Sequence, residues 1–594
     1  MSSGDFGDVR AALATGAAAP EAVLSAIARA AREGECSPGM RAALLELEGR
    51  LGADRVREGF IQSLCLGASK WATGSRGAVA ASSPHAASAG AQVLRGGGNA
   101  VDAACAAALA LTVADPANAS VAGRCHIVIA RPGGHTTIID AATQQPGCID
   151  APGRAEDISC VPVPGMLAGL AMAARAGASR SWSELVQPAI ALAVDGFEVP
   201  PRLAAVWAAN RDRLSRHPRT AQTFLKPDGA PYMAGEPFRQ PGLGRLLQRV
   251  GGDGPEIMYR GQIADDITRQ MTMEGGWLRA EDLAGYAARE GERLAGRFGA
   301  YTMVTPGAPA WGHTLIEMLH IADHFDLSGW PPSAADVETL AWIILVALAD
   351  RPQELGTLRP KPAGLPLGAL AEPTFAAERA GLVTRLLREP DAGRVASRLL
   401  AAARGPGGGG DTTHLSVMDA AGTVVSLTCS IGPSFGSAVT ADPHGFLYAH
   451  SYRMVSSPCP GARDATEMCP AAIFLDGRPV MAVGAAGSER IPGAIAQTLV
   501  NLLQRRRGAL DAVAAPRLAW TGAGLRVHLD VGARIAAHLE ERGFAVTWTG
   551  RGARQHAGVV HLAQRQEGRD CEAAADPAYD GTGMGADQVM RPGE

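Results

Sequence analysis

The chain has 594 residues, 47% of them hydrophobic and 19% charged, which suits a large core or more than one lobe and excludes wholesale disorder. A net charge of −4 and only 5% aromatic residues argue against nucleic acid or an anionic membrane as partner and leave a small-molecule substrate. The start, "MSSGDFGDVRAALATGAAAP", has Asp5 and Asp8 where a secretory signal would be cationic, and the most apolar run, "VDAACAAALALTVAD" (101–115), is too short to span a bilayer; the expectation is a cytoplasmic protein with no membrane contact.

Along residues 8–70, apolar residues recur at three- and four-residue spacing between Ser, Pro and Gly, which predicts a helical N-terminal extension over 1–76. From 77 the texture changes. "RGAVAASS" reads as a strand, "PHAASAGAQVLRGGGNAVDAACAAALALTVAD" as two helices joined at glycines, and "HIVIARPGGHTTIID" as a hairpin over Pro132-Gly133-Gly134. Residues 165–350 alternate helical stretches with Pro/Gly turns, and 374–404 is helical. After the glycines of "GPGGGGDTTHLSV" (405–417) the period falls towards two, in "THLSVMD", "TVVSLTCSI", "GFLYAH", "AAIFLDGRPVMAVGAAG", "LRVHL", "FAVTWTG" and "AGVVHLAQR", with hairpin signals at "DAAG" and "LDGRP". Helices dominate the first two-thirds and strands the last third, an α+β layered body without internal repeat.

Three constellations compete for chemistry around 405–436. Gly405, Gly407 and Gly410 fit G-x-G-x-x-G, but a dinucleotide loop follows a strand and opens a helix, and here the order is reversed. "GPSFG" (432–436) fits G-x-S-x-G, yet Pro443 and Gly445 fall where the helix after a nucleophile elbow would run, so Ser434 reads as a turn residue. The third is Thr412. A threonine hydroxyl is a weak nucleophile without a base, and cutting the chain before Thr412 would supply one, an α-amine with a pKa of roughly 7.7–8. The preceding glycines would let Thr412 Oγ1 attack the Asp411 carbonyl and shift the peptide to an ester. Taken alone, these residues leave Thr412 open between a nucleophile and a residue in a Gly-rich turn. Ten cysteines with no C-x-x-C pair, and the absence of a cofactor motif, lead to the expectation of no metal and no cofactor.

"GAVAASSPHAASAGAQVLRGGGNAVDAACAAALALTVADP" (77–116), "VPVPGMLAGL" (161–170), "WSELVQPAIALAVDGFEV" (182–199), "MYRGQIADDI" (258–267) and "GGWLRAEDLAGY" (275–286) are followed by "DTTHLSVMDAAGTVVSLTCSIGPSFGSAV" (411–439), "GAAGSERIPGAI" (484–495) and "AAADPAYDGTGMG" (573–585). In this order they resemble the γ-glutamyltransferase family over 77–594. The resemblance implies a four-layer αββα N-terminal-nucleophile hydrolase, made as one chain and cut into a large-subunit portion (77–411) and a small-subunit portion (412–594) that stay associated. It implies that Thr412 is the nucleophile and forms an acyl-enzyme, resolved by water or an amine. Ser430 then stands where the family has a second threonine near the new terminus, Gly487 and Ser488 at the paired-glycine oxyanion site, and Thr413 completes the motif. His414 reads as structural.

The same resemblance exposes departures. The family holds an α-amino acid head with an arginine, which falls here on Ala142, and an aspartate, which falls on Met454; its serine pair becomes Thr466-Glu467. The expectation is retained acyl-transfer machinery with an altered acyl pocket, in which Arg453, His450 and Arg154 suit a differently placed anion and Thr466 lines the substrate. Divergent relatives of this kind occur in antibiotic biosynthesis, including C–C bond hydrolysis in the 4-alkylproline branch of lincomycin-type pathways. Alternatives are an ordinary γ-glutamyltransferase or glutathione hydrolase, and a non-catalytic scaffold.

Overall fold

Three helices lead the chain, α1 (Pro20–Arg32), α2 (Pro38–Leu51) and α3 (Ala53–Leu64). The computed structural model describes residues 19–32, 37–65, 69–154, 157–351, 366–403, 411–551, 556–578 and 580–588. The glycine run at 405–410 therefore lies outside the described residues. The three helices bury Ile27, Met40, Leu47, Phe60 and Leu64 among themselves and against Leu529, and Glu48 accepts a hydrogen bond from the Ala533 N–H at 3.0 Å. The extension thus docks on the C-terminal part of the chain. Its boundary falls earlier than the sequence pattern suggests, because Trp71–Gly74, placed within 1–76, is already a strand of the main body.

That body is two antiparallel seven-stranded sheets, face to face, between helical layers. Its strands are β1 (Trp71–Gly74), β2 (Gly77–Ala81), β3 (Arg124–Ala130), β4 (Thr136–Ala141), β5 (Arg289–Glu290), β6 (Arg293–Phe298), β7 (Tyr301–Pro306), β8 (Asp411–Asp419), β9 (Val424–Gly432), β10 (Ala471–Leu475), β11 (Arg478–Ala486), β12 (Val559–Arg565), β13 (Cys571–Ala575) and β14 (Thr582–Gly585). The first sheet runs β14-β2-β8-β9-β3-β4-β5 and the second β1-β13-β12-β11-β10-β7-β6. A separate three-stranded sheet lies within 518–549, and the connection between its last two strands, through Leu529 and Ala533, carries the docked extension.

Alternation along the strands sorts the layers. Leu415, Val417, Val425 and Leu427 point outward and pack on a helical layer that includes Pro84–Arg95 and the wholly buried Ala100–Ala114. The latter helix starts cleanly because the Asn99 side chain accepts from the Val101 and Asp102 N–H groups while Asp102 reaches back to the Asn99 N–H, a capping box. On the other flank, Gly312–Ala322, Ala334–Asp350 and Ile491–Leu499 cover the second sheet. Between the sheets the contacts are mostly small: Ala78, Ala80, Ala130, Ala472, Ala482, Ala563 and Ala573 with Val128, Met418 and Phe474. Such residues let the backbones approach closely, and Gly484 of β11 lies directly against the His414 ring.

The hairpins form where turn residues demanded them, at Gly133 and Gly134 (φ 91° and 87°) and at Asp476-Gly477 (φ 49° and 75°). Two expectations differ. β6 and β7 fall in a region read as helices and turns, because an edge strand such as "RLAGRF" carries alternating arginines and glycine rather than an apolar run. "GFLYAH", read as a strand, makes only the isolated bridges Thr440–Leu447 and Ala122–Tyr448. No helix among the described residues is long and apolar enough to cross a membrane.

Candidate active site

Thr412 is the second residue of β8 and lies opposite Ser430 of β9, with a register irregularity between Asp411 and Thr412. Both are buried, at 4% and 2% exposure. Because β8 alternates, Thr412, His414, Ser416 and Met418 share the inter-sheet face. Ser430 is on that face by pairing, and its Oγ accepts the Gly432 N–H at 3.0 Å, which turns its own proton elsewhere.

His414 has both ring nitrogens engaged. Its Nδ1 is 2.9 Å from Thr428 Oγ1, its Nε2 is 2.9 Å from Ser416 Oγ, and its ring stacks on His561. Burial first, and then the His561 ring, hold it well below the usual histidine range, so it stays neutral and braces the two sheets. Thr413 faces the other way, towards the buried Asp115 carboxylate at the end of Ala100–Ala114. Asn118 Nδ2 donates to both oxygens of Asp115, at 2.8 and 3.0 Å.

At the end of β11 the chain turns through Gly487 (φ 130°) and Ser488 (φ 55°) into a short 3₁₀ segment and then Ile491–Leu499. Arg490 Nε donates to the Gly487 carbonyl at 2.6 Å. In a trans peptide the C=O and the following N–H point in opposite directions, so fixing that carbonyl also fixes the Ser488 N–H. A loop entering a helix N-terminus with an oriented N–H is suited to a developing oxyanion, and a serine N–H serves as well as a glycine N–H. The serine side chain comes at the cost of left-handed backbone at Ser488.

The remaining sequence-predicted residues divide. His450 is buried beside Ile431, donating its N–H to the Ile431 carbonyl at 2.8 Å, and burial, with Arg213 and Arg124 adding to it, pushes its imidazole down to about 4. It is neutral near pH 7 and offers no cation there. Arg453 sits on the short helix Tyr452–Ser456, within electrostatic reach of Asp464. Thr466 is buried, its N–H donating to the Pro309 carbonyl and its Oγ1 accepting from the Met468 N–H. Arg154 stands apart from these: its side chain is 89% exposed and pairs with Asp157 at 3.2 Å. Ala142 and Met454 are both fully buried, so neither position is left open for a charged head.

Sequence reasoning missed a buried polar cluster next to Ser430. Arg124 begins β3 and pairs with Ser430 across the ladder, on the same face. Its Nη1 donates to Thr143 Oγ1 at 3.3 Å, Thr143 donates to Asp464 Oδ2 at 2.9 Å, and Ser451 donates to Asp464 Oδ1 at 2.8 Å. Nearby, Arg289 and Arg463 flank the buried Asp140. The available signal was a lone arginine at the head of an otherwise uncharged strand, "RCHIVIA". Among the described residues, no group of three or more His, Cys, Asp or Glu side chains could hold a metal ion.

Known proteins match this arrangement over most of its length. The family profile described as Gamma-glutamyltranspeptidase matches residues 86–586. An Acylase ACY 1 proenzyme of Pseudomonas sp. (strain V22) is 33% identical over 544 residues, covering 86% of this chain and 94% of its own. A Glutathione hydrolase proenzyme of Escherichia coli (strain K12) is 28% identical, covering 79% of this chain and 85% of its own. Among solved structures, cephalosporin acylase from Bacillus halodurans shares the fold at a TM-score of 0.75 and 23% identity, with 87% of this chain and 96% of that one covered. A structure described as LmbA2991T421A shares it at 0.73 and 24%, with 86% and 99% covered.

Proposed function

The chain belongs to the gamma-glutamyltranspeptidase family of N-terminal-nucleophile hydrolases, and from that premise we propose an autoprocessing acyl-transfer enzyme in which Thr412 is both the cleavage point and the nucleophile. The observation that carries this reading is the pairing of Thr412 with Ser430 at the site end of the inter-sheet face, with the Gly487–Ser488 turn leading into a helix on the facing sheet. In the uncut chain, Thr412 Oγ1 attacks the Asp411 carbonyl, the peptide becomes an ester, and water releases residues 412–594 with a free α-amine. That amine, oriented by the Ser430 hydroxyl, takes the Thr412 hydroxyl proton as Oγ1 attacks a substrate carbonyl. The Gly487 and Ser488 N–H groups receive the oxyanion, the leaving group departs with the proton, and water or an amine resolves the acyl-enzyme. The large portion (77–411) and the small portion (412–594) stay together because β2, β3 and β4 alternate in one sheet with β8, β9 and β14.

The acyl pocket differs from that of a γ-glutamyl enzyme. Buried Ala142 and Met454 at the two expected anchors support an altered acyl specificity, since a pocket built to pair charges rejects strongly once they are gone. We place the substrate among secondary-metabolite intermediates. The same threonine attack serves an amide or a C–C bond next to an electron sink in the substrate, as in an alkylproline pathway of the lincomycin type. Intact masses of the wild type and Thr412→Ala test the core of the proposal. Two fragments meeting between Asp411 and Thr412 in the wild type, with one uncut chain in the variant, are expected. A wild-type chain that stays whole under native conditions would overturn the mechanism and favour a scaffold role. Rapid turnover of a γ-glutamyl substrate would overturn the altered specificity and favour a glutathione hydrolase.

A further inference from the structure

Arg124 is 6% exposed, yet its guanidinium has little to bind in the protein. Among the described residues its one hydrogen bond is Nη1 to Thr143 Oγ1, at 3.3 Å, and its Nε is buried without an acceptor. A buried guanidinium with a donor unused is costly unless a partner arrives. Asp464 is its nearest carboxylate and attracts it, but does not take up its donors directly. Thr143 stands between the two, and the Asp464 oxygens already accept from Thr143 at 2.9 Å, Ser451 at 2.8 Å and Gln145 Nε2 at 3.4 Å.

We propose that Arg124 is the specificity-determining cation of the acyl pocket, receiving a carboxylate at the far end of an acyl group that bears no α-ammonium. This rests on the acyl-transfer reading at Thr412. Three placements support it. First, Arg124 lies beside Ser430, which lies beside Thr412, all on one face. Two strand spacings separate Arg124 from Thr412, roughly 10 Å between Cα atoms, a separation that a dicarboxylic acyl chain of about four to six carbons would span. Second, a planar fork of donors matches a carboxylate in two-point fashion. Third, the β3–β4 ladder ends at Cys125–Ala141, so Arg124 stands next to Ala142, and the cation absent at 142 is present one strand nearer the nucleophile. An ammonium has no such provision: Asp464 is already engaged, Met454 is apolar, and Glu467 is set against the buried Arg351.

The test uses the mature two-fragment enzyme and three dicarboxylic p-nitroanilides, succinyl, glutaryl and adipyl. Their neutral counterparts are butanoyl, pentanoyl and hexanoyl, with γ-glutamyl p-nitroanilide alongside. At least one diacid is expected to exceed both its neutral counterpart and the γ-glutamyl compound tenfold or more in kcat/KM. Arg124→Met should bring that diacid-to-neutral ratio close to one, and Arg124→Lys should keep part of it. A residue that only supports the fold would lower both substrates together and leave the ratio standing, which would overturn the proposal. So would a wild type with no diacid preference, or one that prefers γ-glutamyl. Failure of the underlying reading looks different, with an uncut chain and no acyl anilide turned over.

Discussion

A methyl group added at Gly484 measures how tightly the two sheets close over the start of β8. An ideal Cβ there would lie 2.3 Å from His414 Cε1, 2.6 Å from Nδ1 and 2.8 Å from Nε2. Non-bonded carbons settle at about 3.5–4.0 Å, so methyl and ring must part by roughly 1.2 Å. The ring cannot swing aside freely, because Thr428 and Ser416 each hold one nitrogen at 2.9 Å and His561 stacks on its face. Relief must come from the strands, at an overpacking cost of about 1–3 kcal/mol. His414 is two residues from Thr412 on the same face, and a 1 Å misplacement of reacting groups can cost on the order of 100-fold in rate. Gly484→Ala should therefore lower stability by about 1–3 kcal/mol, read by denaturant unfolding in a Thr412→Ala background, which the proposed mechanism expects to stay uncut. In the cleavable chain it should slow fragment formation at least tenfold on a gel time course. Adding His414→Ala removes the obstacle, and the double-mutant cycle should show a coupling of about 1 kcal/mol or more. A change below about 0.5 kcal/mol, with cleavage at the wild-type rate, would refute the packing argument.

Ser488→Gly keeps the backbone N–H and removes a left-handed side-chain residue, so it should raise stability by about 1 kcal/mol without abolishing cleavage; a lower denaturation midpoint would contradict the strain at φ 55°. Arg517 and Asp576 form a fully buried ion pair, with Asp576 also accepting from the Val560 and Ala578 N–H groups. Arg517→Met strands that carboxylate and should cost about 3–5 kcal/mol, whereas a loss under about 1 kcal/mol would mean the charge is met elsewhere. For acid stability, burial lowers His450 to about 4 and His561 to about 3. Unfolded histidines titrate near 6.5, so below that pH the unfolded chain binds more protons and stability falls as pH drops towards those values, by up to about 1.4 kcal/mol per pH unit for each group. His450→Gln should flatten the slope between pH 6.5 and 4.5 in unfolding titrations; an unchanged slope would show that the ring is protonated in the fold.

How much of this was legible in the chain depends on how far apart in sequence the deciding neighbours lie. Asp476-Gly477 sets its hairpin within two residues, and the switch to period two after the glycines announced β8 and β9, whose short connection makes Thr412 and Ser430 partners almost by arithmetic. β6 and β7 were hidden because an edge strand half open to water need not look apolar. The acyl pocket was harder still. Ala142 and Met454 read as lost charges when each is matched only to its own position along the chain. Folding sets Ala142 beside Arg124, eighteen residues earlier, and brings Asp464 under Ser451, the residue whose hydroxyl accepts the Met454 N–H. A linear comparison sees two missing charges where the sheet sees a cation and an anion displaced to neighbouring positions. The two displaced charges are not equivalent, however: Asp464 engages both oxygens with hydroxyls and an amide inside the protein, while Arg124 keeps donors in reserve on the face it shares with Thr412. That asymmetry, which no single position encodes, is what points the pocket towards an anionic acyl group and away from a zwitterionic one.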